Sequence, residues 1–357
     1  MTRVLLTAAV ALISVSVCIL PAARVGAEEL RDGYFTVITD LGQEILCTGR
    51  VLESGDRYIN WDNRMYEVYR VSERSAYARY VGRVDLSGAV DEARLLTAAA
   101  GEWGAPLQEM AEENTIDVGV YHTHDSECYV PTSGTDSNEE GGDVVRVGEA
   151  MKEQLEREGV SVTHLAESHA PHDAAAYTRS RRTAVELLQE QADVLFDIHR
   201  DAAPADRYLV DIDGQEVSRV LFVVGRANPN MNGNLSFAKA LKAAADEEYP
   251  GLVKGILMAR GDYNQDLGPR VLLLEVGSHE VSLEHAEAAV VRLAGVVPAV
   301  LPGGGEEEEG SSSAAWWLIA SLVLGGGIFL LISTGSWEEA LARLNQYNPW
   351  SGGGRPR

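Results

Sequence analysis

From Ile116 onward, short apolar runs alternate with stretches whose apolar residues recur every three or four positions, and this alternation limits the fold most. Val118–His122 reads as a buried strand that runs into polar residues. Asp143–Glu158 carries Val144, Val147, Met151 and Leu155 on one face and stops at Gly159, which predicts a helix. Val160–His164, Val194–Ile198, Tyr208–Ile212, Val220–Val224 and Val271–Glu275 read as further strands. Ala174–Gln191, Leu235–Tyr249 and Leu283–Leu293 read as helices. The expected domain, residues 116–297, is α/β: a mostly parallel twisted sheet covered by helices. Sites on such sheets lie beyond the carboxyl ends of the strands.

Upstream the pattern is different. Tyr34–Ile38, Glu44–Thr48, Arg57–Ile59, Met65–Tyr69 and Ala76–Tyr80 are short, β-branched or aromatic, and separated by turn residues such as Gly55-Asp56 and Asp62-Asn63. They predict a small all-β module over residues 28–95, joined through a helical connector at 96–115.

The two ends predict where the chain resides. Arg3, an apolar run from Val4 to Leu20 and the small residues Val25-Gly26-Ala27 form a signal-peptide pattern over residues 1–27. An acidic Gly/Ser/Glu linker at 298–313 precedes the uncharged stretch 314–333, which is long enough for one transmembrane helix. Trp316, Trp317 and Trp337 flank that stretch, acids precede it, and Arg343, Arg355 and Arg357 follow it in a tail at 334–357. The positive-inside rule puts this tail in the cytoplasm. The expectation is a single-pass protein of the cell membrane with its large domain exocytoplasmic.

A formal net charge of −24 argues against a nucleic-acid binder, because phosphates need a basic face. Three cysteines exclude a zinc module built from four cysteines, and whether Cys47 and Cys128 pair is open. All eight histidines lie between His122 and His285. Strand alternation puts His122 and His124 on the same side where the first strand of the α/β pattern ends, and His199 ends the strand Val194–Ile198. His124 and Glu127 form a His-x-x-Glu element, so His124, Glu127 and His199 supply the three ligands of a catalytic Zn2+ site. His122 stays an alternative to His124. Glu275 ends the strand Leu272–Leu274 and would face the same crevice as a general base. Arg200 and Arg270 are candidates for substrate binding or for holding an oxyanion. The histidines at 164, 169, 172, 279 and 285 carry less weight: loop, rim or surface groups.

The segments YHTHDSECYVP, VGEAMKEQLEREGV, SRRTAVELL, DIHRDA, VVGRANPN, EEYPG, YNQDLGP and LLEVGSHEVSLEHA together resemble the stage II sporulation protein P family. The likeness is dense over residues 116 to about 296, with a weaker counterpart in GDRYINWDNRMYEVYRV. It implies a relative of the zinc-dependent N-acetylmuramoyl-L-alanine amidases. The implied enzyme acts on peptidoglycan in sporulation (engulfment), cutting the amide between muramic acid and L-alanine, with stem-peptide cross-links as a further candidate bond. It also implies partners, the stage II sporulation proteins D and M. Carried over, His124, Glu127 and His199 match metal positions and Glu275 the catalytic glutamate. Two departures stand out. Glu127 follows His124 by only three residues, which leaves Glu139 and Glu140 as fallback carboxylates, and the expected anchor is carboxy-terminal. A zinc carboxypeptidase-like hydrolase of stem peptides and a non-catalytic wall-binding scaffold are the competing readings.

Overall fold

The first five strands are β1 (Phe35–Thr39), β2 (Glu44–Thr48), β3 (Arg57–Asn60), β4 (Arg64–Ser72) and β5 (Ser75–Arg83). Parts of β1, β4 and β5 alternate more and less buried residues, as strands with one packed face do, whereas β2 and β3 each end in three consecutive buried residues. The β3–β4 turn is built locally: Asn60 Oδ1 accepts from the amides of Asp62 and Arg64, and Asn63 takes a left-handed φ of 59°. Then come β6 (Asp117–Tyr121), α1 (Val130–Ser133), α2 (Val144–Arg157), β7 (Ser161–His164), α3 (Ala176–Gln189) and β8 (Val194–Asp201). The remainder is β9 (Leu209–Ile212), β10 (Gln215–Ser218), β11 (Val220–Gly225), α4 (Met231–Glu248), β12 (Val253–Ala259), β13 (Val271–Ser278) and α5 (Leu283–Val296).

This computed structural model describes residues 29–30, 32–93 and 116–301. The expected leader 1–27, connector 96–115, span 314–333 and tail 334–357 lie outside the described residues, as does most of the linker 298–313. Within that linker Val300 and Leu301 are packed into the core. Among the described residues no helix is long and apolar enough to cross a membrane.

One expectation needs correcting. The amino-terminal strands do not make a sheet of their own. They continue one eleven-stranded sheet of order β2-β1-β5-β4-β3-β12-β11-β13-β8-β6-β7, in which β3 pairs antiparallel with β12. That sheet as a whole is mixed, although among its strands from residues 116–297 four of the five neighbour pairs are parallel, as expected. The parallel pairs are β1–β5, β11–β12, β8–β13, β6–β8 and β6–β7. The other neighbours, β11–β13 among them, run antiparallel, so the sheet is mixed. The expected strand Tyr208–Ile212 is β9, which forms a separate hairpin with β10 over Asp213-Gly214, both at positive φ. An Asp-Gly pair is what a tight hairpin turn of this hand requires.

Strands β8, β11, β12 and β13 are buried along nearly their whole length, which is why their sequences are apolar runs rather than alternating ones. Val144, Val147, Met151 and Leu155 bury the inner stripe of α2, at about 1.5–3 kcal/mol for each large side chain taken from water.

The sheet also curls. In strand order β2 and β8 are eight steps apart, roughly 38 Å in a flat sheet at about 4.8 Å per step. Yet the Gly49 amide donates to Asp201 Oδ1 at 2.7 Å, and the Thr48 hydroxyl donates to the same oxygen at 3.0 Å. A Cβ at Gly49 would lie 2.7 Å from that of Ala202, so this closure needs a glycine. Asp201 also accepts from the Ala202 amide (2.8 Å) and the Tyr208 hydroxyl (2.6 Å). Asp201→Ala is expected to strand these buried donors and cost about 3–5 kcal/mol, read as a lower urea midpoint. A midpoint equal to that of the unmutated protein would show that the closure does not depend on Asp201.

Candidate metal centre

Three carboxyl ends of neighbouring parallel strands, those of β6, β8 and β13, meet at one place. On β13 Glu275 stands opposite His199 of β8. After β6 the chain turns, and Asp197 fixes that turn by accepting from the Thr123 amide (2.7 Å) and hydroxyl (2.6 Å). His124 and Glu127 occupy the turn, with the Glu127 amide donating to the His124 carbonyl at 3.2 Å. The loop returns close beneath them at Gly142, where a Cβ would collide with the Glu127 carbonyl oxygen.

The side chains converge as follows. Glu127 lies 3.6 Å from His124 Nδ1 through Oε1 and 3.6 Å from His199 Nδ1 through Oε2. The His124 and His199 rings sit edge to face, 5.0 Å between centroids. His199 Nε2 is 3.0 Å from Asp197 Oδ1, the outer carboxylate contact that orients a ligating imidazole. Two residues to which the sequence assigns no role join them. His172 stacks on His124 at 3.8 Å, and Glu29 lies 3.4 Å from His124 Nδ1 and 3.3 Å from His172 Nε2. Glu29, His124, Glu127 and His172 can offer ligand atoms all within 4.8 Å of one another.

Whether these residues suit a cation is tested by what they leave unpaired. His124 Nδ1, Glu127 Oε1 and His199 Nδ1 are buried without a hydrogen-bond partner. Buried polar atoms are nearly always satisfied, so unpaired imidazole nitrogens beside an unpaired carboxylate oxygen suit a cation such as zinc, although His199 lies outside the group of four whose ligand atoms all come within 4.8 Å of one another.

The electrostatics agree with that donor set. Burial opposes charge on His124, but Glu29 and Glu127 outweigh it and hold the imidazole up at about 9. His199 is likewise raised, burial being overcome by Asp197 and Glu127. Burial would lift Glu127, yet Arg200 and His199 keep it well below the usual carboxylate range. In a metal-free centre the imidazoles hold protons where a cation would otherwise sit.

Glu275 is lifted to about 7, mainly by burial and against the pull of Arg50. Arg50 follows β2 and is buried. Its Nε donates to Glu275 Oε1 at 2.6 Å, Nη2 approaches the same oxygen at 2.6 Å, and Nη1 reaches Glu29 and Tyr177 at 2.8 Å. Glu275 Oε2 has no hydrogen-bond partner.

Other expected residues are placed elsewhere. His122 and His124 do not share a side, because β6 ends at Tyr121 and alternation ends with it. His122 Nδ1 contacts the Ile198 carbonyl (3.1 Å) and Nε2 the His164 ring (2.8 Å), so both nitrogens have partners. The Arg200 amide donates to Glu127 Oε2 at 2.9 Å and its guanidinium to the Asp136 carbonyl at 3.0 Å, so it braces Glu127. Arg270 precedes β13 and donates to the Asp193 carbonyl at 3.0 Å. It is five residues from Glu275, roughly 16 Å along a strand, at the opposite end of the sheet. Glu139 and Glu140 are exposed on the loop before α2, outside the cluster. Cys47 and Cys128 are both free thiols.

A model of the family "Stage II sporulation protein P" matches residues 72–298. The chain belongs to that family. The family member of Bacillus subtilis (strain 168), stage II sporulation protein P, is 30% identical over 191 residues, 48% of each chain. The match therefore spans about half the length of that curated relative. Two solved structures are similar in part. An N-acetylmuramoyl-L-alanine amidase from Clostridium difficile 630 has a TM-score of 0.33 and 14% identity, covering 53% of this chain and 96% of that one. The CwlD amidase from Clostridioides difficile, in complex with the GerS lipoprotein, has a TM-score of 0.33 and 11% identity, covering 52% and 98%.

The His122 pair makes a pH prediction. Burial beside His164 depresses His122 to about 3, so the folded chain keeps it neutral while the unfolded chain protonates it near 6.5. The unfolded state then binds more protons, and stability present above pH 6.5 falls as the pH drops toward 3. In metal-free protein, His122→Gln is expected to flatten the loss of stability between about pH 6.5 and pH 4, by up to about 1.4 kcal/mol per unit. Denaturation midpoints across that range check it, and identical slopes would assign the acid sensitivity to other groups.

Proposed function

We propose that this chain is a peptidoglycan hydrolase of sporulation that cleaves the N-acetylmuramoyl-L-alanine amide with a zinc ion. The observation that carries the reading is a set of buried atoms that lack partners on neighbouring residues, His124 Nδ1, Glu127 Oε1 and His199 Nδ1, with Glu275 Oε2 unpartnered on the strand beside His199. Membership of the stage II sporulation protein P family supplies the biological setting. Retention at the membrane through residues 314–333, with this centre outside the cell, is proposed from the charge pattern of the sequence alone.

His124, Glu127 and His199 would hold the metal, Asp197 keeping His199 turned and Arg200 keeping Glu127 ionised. A zinc ion supplies Lewis acidity, which acidifies a water and polarises a carbonyl. Glu275 Oε2 accepts the proton of the attacking water and returns it to the leaving nitrogen. A carboxyl at about 7 suits both directions of that transfer at neutral pH. Glu29 and His172 are the less buried members of their group of four.

Two variants test the assignment. His199→Ala is expected to fold and to lose stoichiometric zinc, seen by elemental analysis. Full zinc content in that variant would transfer the third ligand position to His172. Glu275→Gln is expected to keep zinc and slow release of stem peptides by about 10² to 10⁴. Mass spectrometry of the digested wall identifies the bond. Intact stem peptides are the expected product, and single amino acids would mark a carboxypeptidase instead.

A further inference from the structure

The strongest unexplained feature is how Arg50 holds Glu275. An arginine–carboxylate pair that serves stability alone gains most when two nitrogens meet two oxygens in parallel. Here Nε and Nη2 both converge on Oε1, each at 2.6 Å, and Oε2 is left buried with no partner. Leaving a buried acceptor bare costs stability. What the arrangement achieves is geometric: one oxygen is pinned and the other is left free on a residue that stands opposite His199 in the β8–β13 pairing.

Arg50 is itself over-determined. Nη1 reaches Tyr177 and Glu29, both at 2.8 Å, and the Tyr177 ring lies parallel to His199 at 6.1 Å. The residue before it, Gly49, is fastened to Asp201 at the end of β8. Arg50 lies outside the stretch 72–298 that matches the family, two residues past the end of β2.

We propose that Arg50 is a positioning residue for Glu275, so that the segment following β2 is part of the reactive centre and not an accessory to it. It acts by holding Oε1, so that Oε2 alone is free to take and give the proton. The proposal rests on the reading of Glu275 as proton acceptor in a hydrolytic centre.

The test uses the full-length protein loaded with zinc, as the unmutated form, Arg50→Met, Arg50→Lys, Glu275→Gln and the double variant Arg50→Met/Glu275→Gln. Zinc content, Tm, kcat and KM for stem-peptide release from purified peptidoglycan are measured on each. Arg50→Met is expected to lower kcat about 10²-fold with KM and zinc nearly unchanged, and Arg50→Lys to recover about tenfold of that. In the Glu275→Gln background the same change should add less than about threefold, because the two residues act as one unit.

An equal loss in both backgrounds would overturn the proposal, and so would a kcat for Arg50→Met within about threefold of the unmutated rate. Loss of zinc or of folding in both Arg50 variants would assign the residue a structural role and end the proposal. A zinc-loaded unmutated protein without turnover would instead remove the hydrolytic reading, and this inference with it. The two failures are told apart by the unmutated control.

Discussion

A guanidinium and a carboxylate are buried together, with a second carboxylate, Glu29, at 19% exposure on the other side of the guanidinium. Arg50 sits between Glu29 and Glu275 with 1% of its side chain exposed, and Glu275 is barely more exposed at 2%. Taking such charges out of water costs several kcal/mol each, repaid only by near-ideal mutual contacts. The surrounding structure is therefore not free to vary. The curl of the sheet brings Arg50 in, Asp201 fastens the preceding glycine, and Tyr177 ties the guanidinium to the histidine wall. Removing either Arg50 or Glu275 would leave the other as a buried charge short of its partner.

Two pairs of histidines show what separates an imidazole with a full set of partners from one with a nitrogen left over. His122 and His164 face each other, and every ring nitrogen of the pair has a partner: the Ile198 carbonyl, the other ring, and Glu149. His124 and His199 are as deeply buried as His122, but each keeps an Nδ1 without a hydrogen bond, and the two lie on either side of Glu127. Burial alone does not distinguish the pairs. The inventory of partners is what differs.

Much of this was legible in the sequence where chemistry follows directly on a buried strand. His199 and Glu275 stand at the ends of apolar runs, and period alone puts them there. His124 and Glu127 were legible as a pair by spacing, but alternation misplaced His122, because no residue type marks where β6 gives way to the turn. Strand β12 is hidden in the sequence because Lys254 and Gly255 interrupt its run. In the fold Lys254 is accommodated by the Cys47 carbonyl at 3.0 Å and the Tyr208 ring at 3.5 Å. Glu29 and Arg50 had no local signal of any kind. They enter the centre through contacts with residues as far as 225 positions further on, and no window of sequence contains both partners.

The curled sheet also sets an order of events. Loops that join residues so far apart are closed late, since their entropy cost must be met before the contacts they bring can repay it. Arg50 leaves the ribosome long before Glu275, and the α/β strands that carry His124, His199 and Glu275 have to pair before there is anything for Gly49 to fasten to. A chain still emerging, or one cut short before β13, holds the imidazoles and Arg50 but not the carboxylate that Arg50 clamps. Assembly of the whole cluster therefore waits for β13, and an incomplete chain lacks the residue to which the proposed function gives the proton transfer.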